Sequence, residues 1–165
     1  SQAVRDSLLT LAGTLDRAVG GPPVAPNTPT MRRSLYFLQS RDDEDRFLSM
    51  FDNPDILACY RRSESIVPQQ ALALANSSVS LQMAEQITQR LFALHPSEDR
   101  IAVVDAAVTA VLGRKPGDDE RNACDEFWGE IGGIESVKKS GNPDAAIRSR
   151  LVHSRLNHND FVTVR

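Results

Sequence analysis

Apolar residues along the chain recur mostly at intervals of three and four, the period of helices with one buried face. Val4, Leu8, Leu11 and Leu15 form the first such stripe, with Arg17 in its last turn and Gly20-Gly21 as its stop. Pro22, Pro23, Pro26 and Pro29 then fall within eight residues, so Gly20–Thr30 reads as an extended connector. The bulky run from Met31 to Leu38 reads as a short strand or an extended buried segment.

Asp42 is placed to cap a short helix with Asp43, Glu44 and Asp45 in its first turn and Phe47, Met50 and Phe51 on its apolar face. Asp52-Asn53-Pro54-Asp55 forces a turn. Pro68 suits the first position of a long helix striped by Leu72, Ala75, Val79, Met83, Ile87, Leu91 and Leu94. Ser77-Ser78 marks a bend in it, and His95-Pro96 its end. Ser97 is the expected cap of the next helix, with Ile101, Val104, Val108 and Val111 inward and Gly113 just past its end. Cys124, Phe127, Trp128 and Ile131 mark another, stopped by Gly132-Gly133. Asn142-Pro143 opens the last, faced by Ile147, Leu151 and Val152, and Phe161 to Val164 reads as a terminal strand. The pattern predicts a mainly α fold, more than half helical. It is an irregular multi-helix bundle of five or six helices, with at most one small two-stranded sheet.

At 165 residues the chain has the size of one domain, and a single domain over 1–165 is expected. Ser1 is no natural start and a helical pattern is already under way there, which predicts a carboxyl-terminal fragment of a larger multi-domain protein. Aromatics make up only 5%, so the core is aliphatic, which suits helix packing. Nineteen basic against 22 acidic residues give a net charge of −3, without the basic surplus that nucleic-acid binding uses. No apolar run approaches the roughly 20 residues that span a bilayer.

Candidate chemistry is sparse. Cys59 and Cys124 form no CxxC or CxxCH pair, which leaves them either bonded to each other or as two buried thiols. His153 and His158 are five apart, the wrong interval for two ligands on one helical face, and His158-x-Asp160 is at most a weak metal pair. The acids at 42–45 lack the glycine of a calcium loop, and Ser7, Ser34 and Ser65 have no nucleophile-elbow setting. No cofactor and no metal site is expected in this fragment.

The densest stretch runs Phe51-Asp52-x-Pro54-Asp55, then Cys59-x-x-Arg62-x-x-Ser65-x-x-Pro68-x-Gln70-Ala71-Leu72-x-Leu74-x-Asn76. Arg32-Arg33-Ser34-Leu35-Tyr36 precedes it, and Leu112-Gly113-Arg114-x-Pro116 and Leu156-Asn157-x-x-Asp160-Phe161 follow. In order and spacing these pieces resemble the carboxyl-terminal part of a planctomycete-specific domain, domain of unknown function 1553. The resemblance implies an exported, periplasmic or cell-surface parent in which a cytochrome-c-like domain, and so haem, lies upstream. It carries over no catalytic residues.

Read from the residues alone, Asp52 and Asp55 flank a turn within easy reach of Arg61 and Arg62 for a carboxylate–guanidinium pair. Arg62 is therefore expected to be buried and paired, locking an irregular loop against the Pro68 helix. The sharper reading is a polar pocket in which Asp52, Asp55, Arg62, Gln70 and Asn76 bind a small anionic or sugar-like ligand. Two functions follow: a non-catalytic helical interaction module that packs on upstream domains, or part of a polysaccharide-acting enzyme whose site is shared with them.

Overall fold

In a computed structural model of the chain, which describes residues 2–40, 43–49, 68–94 and 99–162, the first helix stops earlier than its apolar stripe suggests. Helix α1 (Gln2–Ala12) ends where Gly13 takes the left-handed region at φ 76, and the Thr14 and Leu15 amides both turn back to the Leu9 carbonyl. Gly13, not Gly20-Gly21, is thus the stop, because the first residue able to adopt positive φ without a Cβ penalty ends the helix. The buried face of α1 carries Leu8, Leu9 and Ala12, and also Arg5.

The described backbone falls into two compact units, residues 1–79 and 80–165. In the first, the proline-rich connector runs beside the 31–38 segment. Single parallel bridges pair Asp16 with Arg32 and Val24 with Phe37, and a 3-10 turn spans Ser34–Tyr36. The segment is extended at its ends but forms no strand, since the turn breaks the ladder, and only Ser34 and Phe37 in it are buried. Asn27, at φ 58, ties the connector to α2 (Arg46–Ser49): its amide donates to Asp45 and its side-chain oxygen accepts from the Arg46 amide. Asp45 caps α2 by accepting from the Phe47 and Leu48 amides. The acidic run therefore precedes the helix instead of filling its first turn. Asp42, Met50 and Phe51 lie outside the described residues.

Helix α3 (Pro68–Asn76) starts at the proline, as expected, and α4 (Ser78–Leu94) follows after Ser77. The stripe is corrected at both ends. Leu74 is fully buried while Leu72 is exposed, because the break at Ser77 resets the helical phase, and Leu94 is exposed as the last residue of α4. Met83, Ile87 and Leu91 are buried as the spacing predicts.

In the second unit α5 (Arg100–Leu112) is capped by Asp99, whose carboxylate accepts the Ile101 amide; Ser97 lies outside the described residues. That start turns Ile101 outward and Val103, Val104, Ala107, Val108 and Val111 inward. Helices α6 (Asp118–Gly133) and α7 (Glu135–Lys138) lead to α8 (Pro143–Leu156), whose first turn is capped by Asn142. Helix α8 packs against α5, α6 and α7, burying Ile147, Leu151, Val152 and Leu156. The expected terminal strand is instead α9 (Asn159–Val162), held by the Phe161 amide on the His158 carbonyl; residues 163–165 lie outside the described set.

Six of the nine described α-helices have nine or more residues, and the described residues form no sheet, so the mainly α, multi-helix reading stands. Gly113 closes α5 at φ 70 with open space where a Cβ would be. Gly113→Ala should therefore cost only the left-handed backbone penalty, about 1 kcal/mol, measured by urea denaturation; a loss near zero would show that the cap relaxes.

Candidate functional site

Of the residues expected to form a polar pocket, Asp52, Asp55 and Arg62 lie outside the described residues, and with them the expected burial of Arg62. Gln70 stands on α3, its side chain likewise outside the described set. Asn76 is exposed at the end of α3, where its amide donates to the Leu72 carbonyl at 2.9 Å.

The structure assembles two other polar clusters, both from pieces of the motif set. In the first unit the Arg5 guanidinium enters from α1. Its Nη1 donates to the Arg32 carbonyl at 2.9 Å and to Ser34 Oγ at 3.2 Å, and Nη2 donates to the Thr30 carbonyl at 2.5 Å. The group lies over the Phe37 ring, 4.8 Å from its centre. Asp6 accepts from the Ser34 amide and hydroxyl at 2.8 and 2.6 Å. Burial pulls the Arg5 guanidinium below its usual range, against the raising influence of Asp6 and Asp45. Next to it Arg32 donates to the Pro22 and Gly20 carbonyls and stacks 4.1 Å from the Tyr36 ring centre, while Tyr36 Oη accepts the Gly20 amide. Arg32, Ser34 and Tyr36 thus pin the proline connector.

In the second unit Arg114, just past α5, bridges two helices. It donates to Glu120 of α6 at 2.7 Å and to Asp160 of α9 at 3.0 Å. Arg155 of α8 reaches the other Glu120 oxygen at 3.3 Å. His158 Nδ1 accepts the Asp160 amide at 3.1 Å, so the histidine that pairs with Asp160 in the sequence serves there as a helix cap. Arg121 of α6 grips Asp105 of α5 with two bonds, 2.8 and 3.0 Å. The pair Gly113-Arg114 and the tail Asn157-x-x-Asp160 are thereby one structural feature, 46 residues apart in the chain.

The electrostatics of these groups run against acid–base chemistry. Arg114 holds the Glu120 carboxyl below its ordinary value, and Arg121 does the same to Asp105. Both stay anionic near neutrality, whereas a general acid needs its pKa raised toward working pH. Burial pushes the Cys124 thiol up, and its side chain is inaccessible, so it is no nucleophile. Among the described residues, no group of three or more His, Cys, Asp or Glu is placed to hold a metal ion. No described helix is long and apolar enough to cross a membrane. A shallow hollow between α5 and α6, bounded by Arg100, Val104, Arg121 and Trp128, is largely apolar.

Because the folded Glu120 value is lowered, its contribution to stability is present above the unfolded value and is lost as pH falls through the folded one. Wild-type protein should therefore out-melt Glu120→Gln at pH 6, and the gap should narrow as pH falls through about 4.3, where unfolded glutamate is half protonated, and close only below the lowered folded value. Each kcal/mol in that gap moves Tm by about 2–4 °C. Calorimetry across pH tests it; a gap that does not vary with pH removes the charge from the explanation.

Pairing at this range escaped the sequence reading. In the sequence Arg5 is one polar residue in an amphipathic helix, and only its place on the Leu8–Ala12 face points to burial. A family model described as PSD1, protein of unknown function (DUF1553), matches residues 1–128. The match takes in the Arg5 cluster, the 51–76 block and Arg114, and stops at Trp128 in α6. No curated protein and no solved structure matches the chain.

Proposed function

The chain belongs to the DUF1553 family, whose function is unknown, and we propose that within it this chain is a non-catalytic helical interaction module. Its setting in this reading is an exported, cytochrome-c-linked planctomycete protein whose upstream domains it packs against. That setting, with haem carried upstream, rests on the resemblance of the motif set.

The observation that supports the interaction role is a run of apolar side chains held out to solvent on a pinned backbone. Val19 is 89% exposed, and Met31, Leu35 and Leu38 are 43, 49 and 48% exposed. Single exposed apolar residues are ordinary. Here the stretch that carries them is braced by Arg5, Arg32 and Tyr36, so little ordering entropy remains to be lost on docking. Among the described residues, Arg5, Asp6 and Arg32 are engaged in that bracing, and Arg114, Glu120 and Asp160 in the Arg114 bridge.

The test is Met31→Ser/Leu35→Ser/Leu38→Ser, with binding to the parent's upstream region followed by titration calorimetry. Burying the exposed half of each side chain is worth about 1 kcal/mol, so affinity should fall about a hundredfold with Tm little changed. Unaltered affinity removes the proposal. Turnover of a polysaccharide by the full parent, abolished by Asp52→Asn, would support the shared-site enzyme instead.

A further inference from the structure

The bridge between Asp16 and Arg32 is parallel, with the Asp16 amide donating to the Met31 carbonyl at 2.8 Å. A second tie joins the two stretches where the Gly20 amide donates to Tyr36 Oη. Along 31–35 the burial alternates: Ser34 is buried and Arg32 half-buried, while Met31, Arg33 and Leu35 are exposed. Arg17 and Val19 are exposed on the neighbouring stretch. Among the described residues neither Arg17 nor Arg33 has a side-chain partner, in contrast to Arg5 and Arg32 beside them. Three acids of this region accept hydrogen bonds from other groups: Asp6 holds Ser34, Asp16 accepts the Ala18 amide, and Asp45 caps α2.

The exposed side of these two stretches, tied by the Asp16–Arg32 bridge and the Gly20–Tyr36 bond, thus carries two cations without a side-chain partner among the described residues together with the exposed Val19, Met31, Leu35 and Leu38. Its complement is an apolar surface carrying carboxylates. We propose that this face docks an acidic, apolar protein segment, whose carboxylates meet Arg17 and Arg33 while its apolar side chains cover Met31 and Leu35. The proposal rests on the interaction reading above and specifies the chemistry of its partner. A protein partner is favoured over an anionic membrane or nucleic acid by the charge. Two arginines on a chain of net charge −3 fall short of the roughly 4–8 cations that recruit proteins to anionic lipid.

The experiment compares Arg17→Glu/Arg33→Glu with the apolar triple variant, each titrated against the parent's upstream region at two salt concentrations. At about 0.1 M salt, with a screening length of about 10 Å, charge reversal should weaken binding about tenfold. At about 1 M, where that length is about 3 Å, wild type and variant should converge. Both arginines are exposed, so the Tm of the variant should match wild type and exclude misfolding. If the apolar variant weakens binding while charge reversal changes neither affinity nor its salt dependence, the acidic partner is wrong and the interaction role survives. If wild type does not bind the upstream region, both fall. Wild-type binding to vesicles of phosphatidylglycerol and phosphatidylcholine, abolished by charge reversal, without binding to the upstream region, would overturn the proposal in favour of a membrane.

Discussion

Arg5→Ala is expected to destabilise the amino-terminal unit by about 3–5 kcal/mol, the usual cost of removing one partner from a buried charged network. The guanidinium is nearly buried and donates to two carbonyls and a hydroxyl of a segment 25 to 29 residues away. Its removal orphans the Thr30 and Arg32 carbonyls, leaves a cavity beside the Phe37 ring, and deprives Asp6 of its neighbouring cation. Each buried acceptor left unpaired adds about 1–3 kcal/mol. Arg5→Lys should rescue only part, because an ammonium cannot span carbonyls and ring with the planar fork of arginine. Urea denaturation followed by far-UV circular dichroism gives the number. A loss under about 1 kcal/mol, the usual effect of an exposed arginine, would mean that the clamp is not what holds 31–38 to α1.

Leu151→Ala should cost about 2–5 kcal/mol in the second unit. Leu151 is wholly inaccessible at the middle of α8, the helix that packs on α5, α6 and α7, so three neighbours would have to move to fill the void. The matched control is Leu94→Ala on α4, 65% exposed, which should change stability by no more than about 0.5 kcal/mol. Trp128, the single tryptophan, is buried in α6, so its fluorescence reports unfolding of this unit directly. Equal losses for the two variants would contradict the packing described for α8.

The signals that the sequence carries reliably act over one helical turn. Pro68 opens α3, Gly113 closes α5, and Asn142-Pro143 opens α8 with the Asn142 carboxamide accepting the Ala145 amide. Each follows from the φ or hydrogen-bonding capacity of one residue, so neighbours in sequence suffice to read it. Where two candidates compete, the pattern alone does not choose. Gly13 ends α1 where the stripe pointed to Gly20-Gly21, and Asp99 caps α5 where Ser97 was the expected cap.

What joins the motifs was decided elsewhere. Arg32-Arg33-Ser34-Leu35-Tyr36 is a recognisable string, but its meaning is the Arg5 and Asp6 side chains that meet it from α1. Arg114 and Asp160 are each legible as motif residues, and nothing in their spacing says that they bond across 46 positions. Hydrophobic periodicity specifies which face of a helix is buried, not which helix it meets. Pairing between distant polar groups depends on where two backbones end up once those faces have packed. The sequence by itself determined a helical chain with its main starts and stops, and the tertiary structure decided that Arg5, Arg32, Arg114 and Arg121 brace the fold while Arg17, Arg33 and their apolar neighbours face outward.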